Sequence, residues 1–395
     1  MTEAVHIGVI NTLINRSFSD SPAYIYSIQQ LLKNCGIFQE FCYRHSLFGL
    51  YSVKALSQPD ILKEISNFVA GYSVSSVYEA KNASEFSIDN NLKIHLVTPL
   101  ILERELIEIR KYCSKVTFNS YSQYAKFGPL LLCSCELGIR VNTGISLVEN
   151  PKYDPADPET RLGIPIEEAA TLFREGLLSH ISGIHFHTNC ESENLDELGR
   201  NINSIIPLIQ LMGAQLKWVN LGGGYYFDPC HSSQEFDRSL QRLNDCLPAV
   251  EIYIEPGTDI VQDCGFLFST VQDVIKKDSR YIAVLDSSIN HLPEVFEFSF
   301  LPEVFCSAQT RSDIECIVEL AGRTCLAGDI FGQYEFPSIP RIDDKVLFFN
   351  AGSYAQVKAT TFNGIPLPSS YLLTDEGNLK LSNKPGYEDW IKTNS

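Results

Sequence analysis

Four short segments carry residue types that could do chemistry. Lys54 closes the apolar run Phe48-Gly-Leu-Tyr-Ser-Val-Lys54. An amine buried at a strand end loses the hydration of its charge and tends toward a neutral nucleophile. A lysine there can equally reach past apolar surface into water. His185-Phe186-His187 ends a second run, and strand alternation puts both imidazoles on one face. Such a pair packs in a core or ligates a metal as readily as it serves a reaction. Leu221-Gly222-Gly223-Gly224 offers backbone N–H groups to a phosphate, or makes a flexible turn. Glu255-Pro256-Gly257 puts a carboxylate at a fourth strand end, facing inward or opening a plain turn. Farther on, Gly322-Arg-Thr-Cys325-Leu-Ala-Gly-Asp329 and Tyr354 add a thiol, an acid and a phenol. Cys133-x-Cys135 lacks the usual zinc spacing, and no metal is expected.

These groups need elements that bring strand ends together. Between about residues 48 and 257, eight apolar strands alternate with helices: 48–54, 68–74, 93–97, 115–119, 138–143, 181–187, 216–221 and 251–255. Helical spacing marks 60–68, 166–179 and 195–211. Eight β-α units in series predict a closed (β/α)8 barrel, in which the strand C-termini face the active site. An open doubly wound sheet is the alternative, but its early Gly-x-Gly-x-x-Gly entry is absent. Beyond about residue 264 strands dominate, at 266–275, 281–286, 315–320, 345–350 and 371–373. The expected architecture is an α/β chain: a barrel over 28–263 and a C-terminal β-sandwich or β-barrel-like domain over 264–395. An N-terminal strand at about 20–27 joins the second domain.

Composition bounds the partners. The 395 residues carry a formal charge of −17, which argues against nucleic acid. That charge suits a cationic substrate and also plain solubility. No apolar run of membrane-spanning length occurs, and residues 1–15 do not read as a signal peptide. The twelve scattered cysteines form no short-spaced framework and read as thiols of a reducing cytoplasm.

Taken in order, the motifs resemble the fold-type III pyridoxal 5'-phosphate (PLP) decarboxylases, the group acting on ornithine, diaminopimelate and carboxynorspermidine. The carboxynorspermidine branch is the nearest likeness. It rests on Ser21-Pro-Ala-Tyr-Ile-Tyr26, Val74-Ser-Ser76, Tyr153-Asp-Pro155 with Arg161-Leu-Gly-Ile164, His185-Phe-His-Thr-Asn-Cys190-Glu191, Cys325-Leu-Ala-Gly-Asp329 and Thr361-Phe-Asn-Gly364-Ile-Pro-Leu-Pro368. The resemblance implies that Lys54 carries the cofactor, His187 stacks on its ring and Glu255 pairs with the ring nitrogen. It implies that Gly222, Gly223, Gly224, Gly257 and Tyr354 hold the phosphate. Cys325 and Asp329 would reach into a neighbouring subunit of a homodimer, with Cys325 placed for proton transfer. Substrate contacts would come from Cys190, Glu191, Asp286, His291, Glu294 and Asp329. Leu326 stands where the ornithine and diaminopimelate enzymes place an acid, and Thr258 where wider relatives have arginine. The implied reaction is loss of the α-carboxylate from an aminocarboxypropyl group on carboxynorspermidine or carboxyspermidine. The alternative carrier is a modified natural product such as a peptide-nucleotide antibiotic. A racemase or a non-catalytic regulator of the same fold is disfavoured by the presence of Lys54, the glycine loop and the Cys325–Asp329 segment.

Overall fold

The computed structural model describes residues 8–13, 18–87, 91–230, 233–312 and 314–394. The chain divides into two compact units: Asn34–Ile260, and the residues up to Lys33 together with those from Val261 onward. Strand β1 (Ala23–Ser27) belongs to the latter.

The Asn34–Ile260 unit holds β2 (Phe48–Ser52), β3 (Gly71–Val74), β4 (Lys93–Val97), β5 (Lys115–Phe118), β6 (Glu136–Asn142), β7 (Ile164–Pro165), β8 (Ile181–His185), β9 (Trp218–Asn220) and β10 (Glu251–Ile254). The order β5-β4-β3-β2-β10-β9-β8-β6 is closed by a β5–β6 pairing, with β7 appended to β6. All these pairings are parallel. The eight expected strands are therefore the eight staves of a closed barrel. Helices 59–65, 166–174 and 195–212 answer the helical spacing read from the sequence. Ile28–His45, Val77–Ser84, Leu106–Tyr112, Tyr121–Leu131 and Gln234–Cys246 are further helices. In the first of these, Leu31, Cys35, Phe38, Phe41 and Cys42 lie three and four apart and are buried.

The barrel floor is built from the first residues of four strands. Lys115 Nζ, almost fully buried, lies 2.9 Å from Glu136 Oε2 and 3.3 Å from Glu251 Oε2. Lys93 Nζ lies 2.9 Å from Glu251 Oε1, and the Tyr253 hydroxyl donates to Glu251 Oε2 at 2.7 Å. Burial raises the Glu251 carboxyl, but Lys93, Tyr253 and Lys115 outweigh it and hold the group at about 2. Trp218 fills the interior above this floor. Its ring needs bare backbone on the adjacent β8 and on β6 beyond it: a Cβ on Gly183 would sit 2.0 Å from Trp218 Cε2, and one on Gly138 2.3 Å from Cη2.

The other unit is one branched, mixed sheet of nine strands among the described residues, not a barrel. Its strands after β1 are β11 (Gly265–Lys276), β12 (Tyr281–Leu285), β13 (Val304–Cys306), β14 (Cys316–Ala321), β15 (Ile330–Phe336), β16 (Lys345–Phe348), β17 (Ser369–Leu373) and β18 (Leu379–Asn383). The twelve residues of β11 serve three partners in turn: β1, β16 and β12. The N-terminal strand joins this sheet as expected, antiparallel to β11 and parallel to β17. Ala23, Ile25, Phe266, Phe268, Leu347 and Leu373 form its apolar core.

Two outcomes follow from this packing. Gly183→Ala drives a methyl into the Trp218 ring, and denaturant unfolding is expected to lose about 1–3 kcal/mol, the usual size of an overpacked core. His291, fully buried in the sheet unit, is lowered from 6.5 to about 4, chiefly by burial, with Asp329 opposing and Arg323 assisting. The unfolded chain then binds the extra proton, so this contribution is complete above pH about 6.5 and is lost as pH falls through about 4. Its full size is roughly 3 kcal/mol, and His291→Asn is expected to flatten the stability–pH curve across that window.

Candidate active site

The strand C-termini of the barrel gather Lys54, His187, Gly222–Gly224, Glu255 and Gly257 at one mouth. Glu255 follows β10 and is 6 % exposed. Burial alone would raise its carboxyl. His185, His187 and the Asn220 amide outweigh that and hold it below the ordinary carboxylate range, so it is ionised. Asn220 Nδ2 donates to Glu255 Oε1 at 2.8 Å, while Asn220 Oδ1 accepts from Gly222 N–H at 2.9 Å. His185 Nε2 is 3.5 Å from Glu255 Oε2, long for a hydrogen bond. That second oxygen is the one left for another donor.

His185 ends β8 fully buried, His187 stands two residues past the strand, and the two do different things. Burial, then the positive charges of Lys54 and Arg140, pushes His187 far below its usual range. The neutral ring accepts Gly223 N–H on Nδ1 at 3.1 Å, which leaves the proton on Nε2. His185 is fully buried and lowered by the same desolvation. Arg140, lowered by burial to about 10, sends Nη2 to the His187 carbonyl at 3.4 Å.

Two expectations are corrected here. Lys54 is exposed rather than buried, because β2 ends at Ser52 and the lysine stands in the following turn. The glycine loop is not a row of open N–H donors. Gly222 N–H is engaged by Asn220 and Gly223 N–H by His187. The glycines are needed for close approach instead: a Cβ on Gly223 would lie 1.9 Å from the Glu255 carbonyl oxygen, and one on Gly224 2.0 Å from that of Asn189. Gly224 N–H and Gly257 N–H donate to no protein group among the described residues. The donor set thus comprises an accessible amine, a neutral imidazole, a buried ionised carboxylate and two open amides. It fits PLP, which offers an aldehyde, an aromatic ring, a protonable ring nitrogen and a phosphate. Among the described residues no three His, Cys, Asp or Glu side chains form a metal cage.

Cys190 and Glu191 follow His187 in a loop stitched to its neighbour: Ser192 N–H donates to the Gly224 carbonyl at 2.8 Å. Both are exposed. Sequence reasoning missed Asn220, and Thr258 was read only as a departure from the arginine of wider relatives. Asn220 stands two residues beyond Trp218 on the same inward face, so its signal was present in the alternation.

In the sheet unit, Cys325 is exposed and its N–H donates to Asn363 Oδ1 at 3.0 Å, joining two of the sequence motifs. Asp329 does not face outward. It is 3 % exposed; Oδ1 accepts from Ser288 Oγ and Ile289 N–H, and Oδ2 from Thr324 N–H and Oγ1. His291 is likewise enclosed and accepts Ser288 N–H on Nδ1. Asp286 is largely buried and accepts Thr270 N–H. Glu294 is partly open and 3.4 Å from Lys358 Nζ. Tyr354 adopts a left-handed backbone, φ 54°, with Lys358 Nζ 5.9 Å from its ring centre.

Residues 29–262 match the family model described as pyridoxal-dependent decarboxylase, pyridoxal binding domain. The chain is 31 % identical to a carboxynorspermidine/carboxyspermidine decarboxylase of Campylobacter jejuni, covering 95 % of this chain and 98 % of that protein. It is 30 % identical to a carboxyaminopropylagmatine decarboxylase of Synechocystis, covering 96 % and 97 %. A crystal structure of carboxynorspermidine decarboxylase from Campylobacter jejuni, complexed with norspermidine, superposes with a TM-score of 0.82 at 29 % identity, covering 95 % of this chain and all of that one. With that coverage, and with the lysine, imidazole, carboxylate and open amides at one barrel mouth, the chain belongs to the fold-type III pyridoxal-dependent decarboxylases, in the branch related to the carboxynorspermidine/carboxyspermidine enzymes.

Proposed function

We propose that this decarboxylase removes the α-carboxylate from the aminocarboxypropyl end of a polyamine, with carboxynorspermidine or carboxyspermidine as substrate. The observation that carries the reading is the near full-length similarity to the Campylobacter jejuni enzyme. Leu326 adds to it: an exposed apolar side chain follows Cys325, where the resemblance places an acid in the ornithine and diaminopimelate enzymes.

Lys54 is assigned to the cofactor aldehyde, with its exposed amine free to exchange for the substrate's. His187 is assigned to the ring face, fixed in rotation by Gly223 N–H. Glu255 is assigned to the ring nitrogen through Oε2, with Asn220 holding the other oxygen. Gly224 and Gly257 are assigned to the phosphate. Bound PLP supplies an electron sink for the pair left when CO2 departs. The chain's own part is then to keep Glu255 ionised, keep His187 neutral and deliver a proton. Cys325 is the proposed proton donor, contributed to the partner's site of a homodimer. Exposed Phe296, Phe298, Phe300, Leu326 and Phe362 around that loop form the kind of apolar surface a dimer would cover. Cys190 is assigned to a substrate contact. Asp329 and His291 hold the Cys325 loop.

Purified protein with PLP is expected to show the visible band of a lysine-bound cofactor and to release CO2 from carboxynorspermidine; Lys54→Ala loses both. A band without CO2 release from either carboxylated polyamine overturns the substrate reading. Asp329→Ala leaves buried donors at Ser288, Ile289 and Thr324 unpaired and is expected to cost about 1–3 kcal/mol of stability. The band persists while kcat falls and KM holds, because the loop carrying Cys325 loosens; an unchanged kcat removes Asp329 from that role.

A further inference from the structure

An acid is buried behind the loops of the barrel mouth. Glu197 stands in the first turn of helix Leu195–Met212 and is fully buried. Burial pushes its carboxyl up to about 7, against the Leu147 N–H, Arg200 and Asn189, with Asp154 adding to the rise. Taking an acid out of water is costly, and a leucine would fill similar space without that cost. The acid is explained by what it holds. Asn189, 3 % exposed, donates its Nδ2 to Glu197 Oε2. The other end of the same amide, Oδ1, accepts Cys190 N–H at 2.8 Å.

Asn189 in turn fixes Gly224. A Cβ on Gly224 would stand 2.0 Å from the Asn189 carbonyl oxygen, so the two backbones are in close contact. Ser192 N–H donates to the Gly224 carbonyl at 2.8 Å, and Tyr226 N–H to the Ser192 carbonyl at 3.0 Å. The buried hydroxyls of Thr188 and Tyr225 lie 3.0 Å apart. Residues 224–226 are thus laid against 188–192, and 188–192 is tied to the helix at Glu197. Gly224 N–H is the group this arrangement leaves open, with no protein acceptor among the described residues.

We propose that Glu197 is a positioning residue for the cofactor phosphate: through Asn189 it holds Gly224 N–H where a phosphate oxygen is met. The inference rests on the assignment of Gly224 and Gly257 to the phosphate and adds a group that touches neither cofactor nor substrate. What Asn189 needs from position 197 is an acceptor. Glutamine keeps a carbonyl oxygen there. Leucine keeps the bulk and leaves Asn189 Nδ2 a buried donor with no acceptor at that position.

The test is equilibrium binding of PLP, and of pyridoxal, which lacks the phosphate, to the full-length apoenzyme, read from the visible band of the lysine-bound cofactor. Glu197→Leu is expected to weaken PLP about tenfold, the size of one hydrogen bond lost from a buried donor, and pyridoxal by less than about twofold. Glu197→Gln is expected to bring PLP back to within about twofold of wild type. Asn189→Ala is expected to weaken PLP as Glu197→Leu does, and the double variant no further, because the two residues act in series. Equal weakening of PLP and pyridoxal in Glu197→Leu would make the acid a general support of the mouth and overturn the proposal. Wild-type PLP affinity in that variant, or additive losses in the double variant, would overturn it as well. If Glu197→Leu does not fold, Asn189→Ala measured with both ligands decides by the same criterion. A wild type that binds PLP and pyridoxal equally overturns the phosphate assignment itself, and the proposal with it.

Discussion

A carboxylate can stay charged inside a protein only if the surrounding groups replace the water it has lost. Glu255 meets that demand at the end of β10, and much of the barrel mouth is arranged by how it does so. The Asn220 amide supplies a neutral donor to one oxygen. Asn220 then passes its own carbonyl oxygen to Gly222 N–H, which seats the glycine loop, and Gly223 N–H in turn fixes the rotation of His187. Three adjacent strand ends are thereby locked into one hydrogen-bonded chain that starts at the buried charge. The chain leaves Glu255 Oε2 facing the histidines at a distance too long for a firm bond.

The two ends of the barrel handle charge in opposite ways. At the floor, Lys93 and Lys115 neutralise Glu136 and Glu251 directly, with Tyr253 completing the set. Each of those charges has a protein partner. At the mouth, the amine of Lys54, an oxygen of Glu255 and two amides are left to act on something else. Parallel strands make this division possible, because all their starts lie at one end and all their finishes at the other.

Much of this was legible in the sequence, for identifiable reasons. The eight staves could be read because each is a short apolar run bounded by turn residues. His185 and His187 could be paired from a period of two, although β8 ends at the first of them. What escaped was of two kinds. Asn220 is a small polar residue with no compositional signature; its role exists only once two strand ends meet. The exposure of Lys54 depends on where β2 stops, and a strand boundary is set by its neighbours' pairing rather than by local sequence. The second domain suffered more. β13, β15 and β18 went unread because their apolar residues alternate weakly, and a sheet that branches at β11 leaves no linear trace.

A motif residue need not be a reacting residue. Gly222 and Gly223 look like phosphate ligands in the sequence, yet their amides already have partners, and their missing side chains are what let β8, β9 and β10 end so close together. Asp329 looks like a substrate ligand, yet its four hydrogen bonds are all internal and close the loop that presents Cys325. In both cases the residue type is demanded by packing around a neighbour that keeps an atom open: Gly224 for the loop, Cys325 for the acid. The open atom, more than the motif that surrounds it, marks where a ligand can be met.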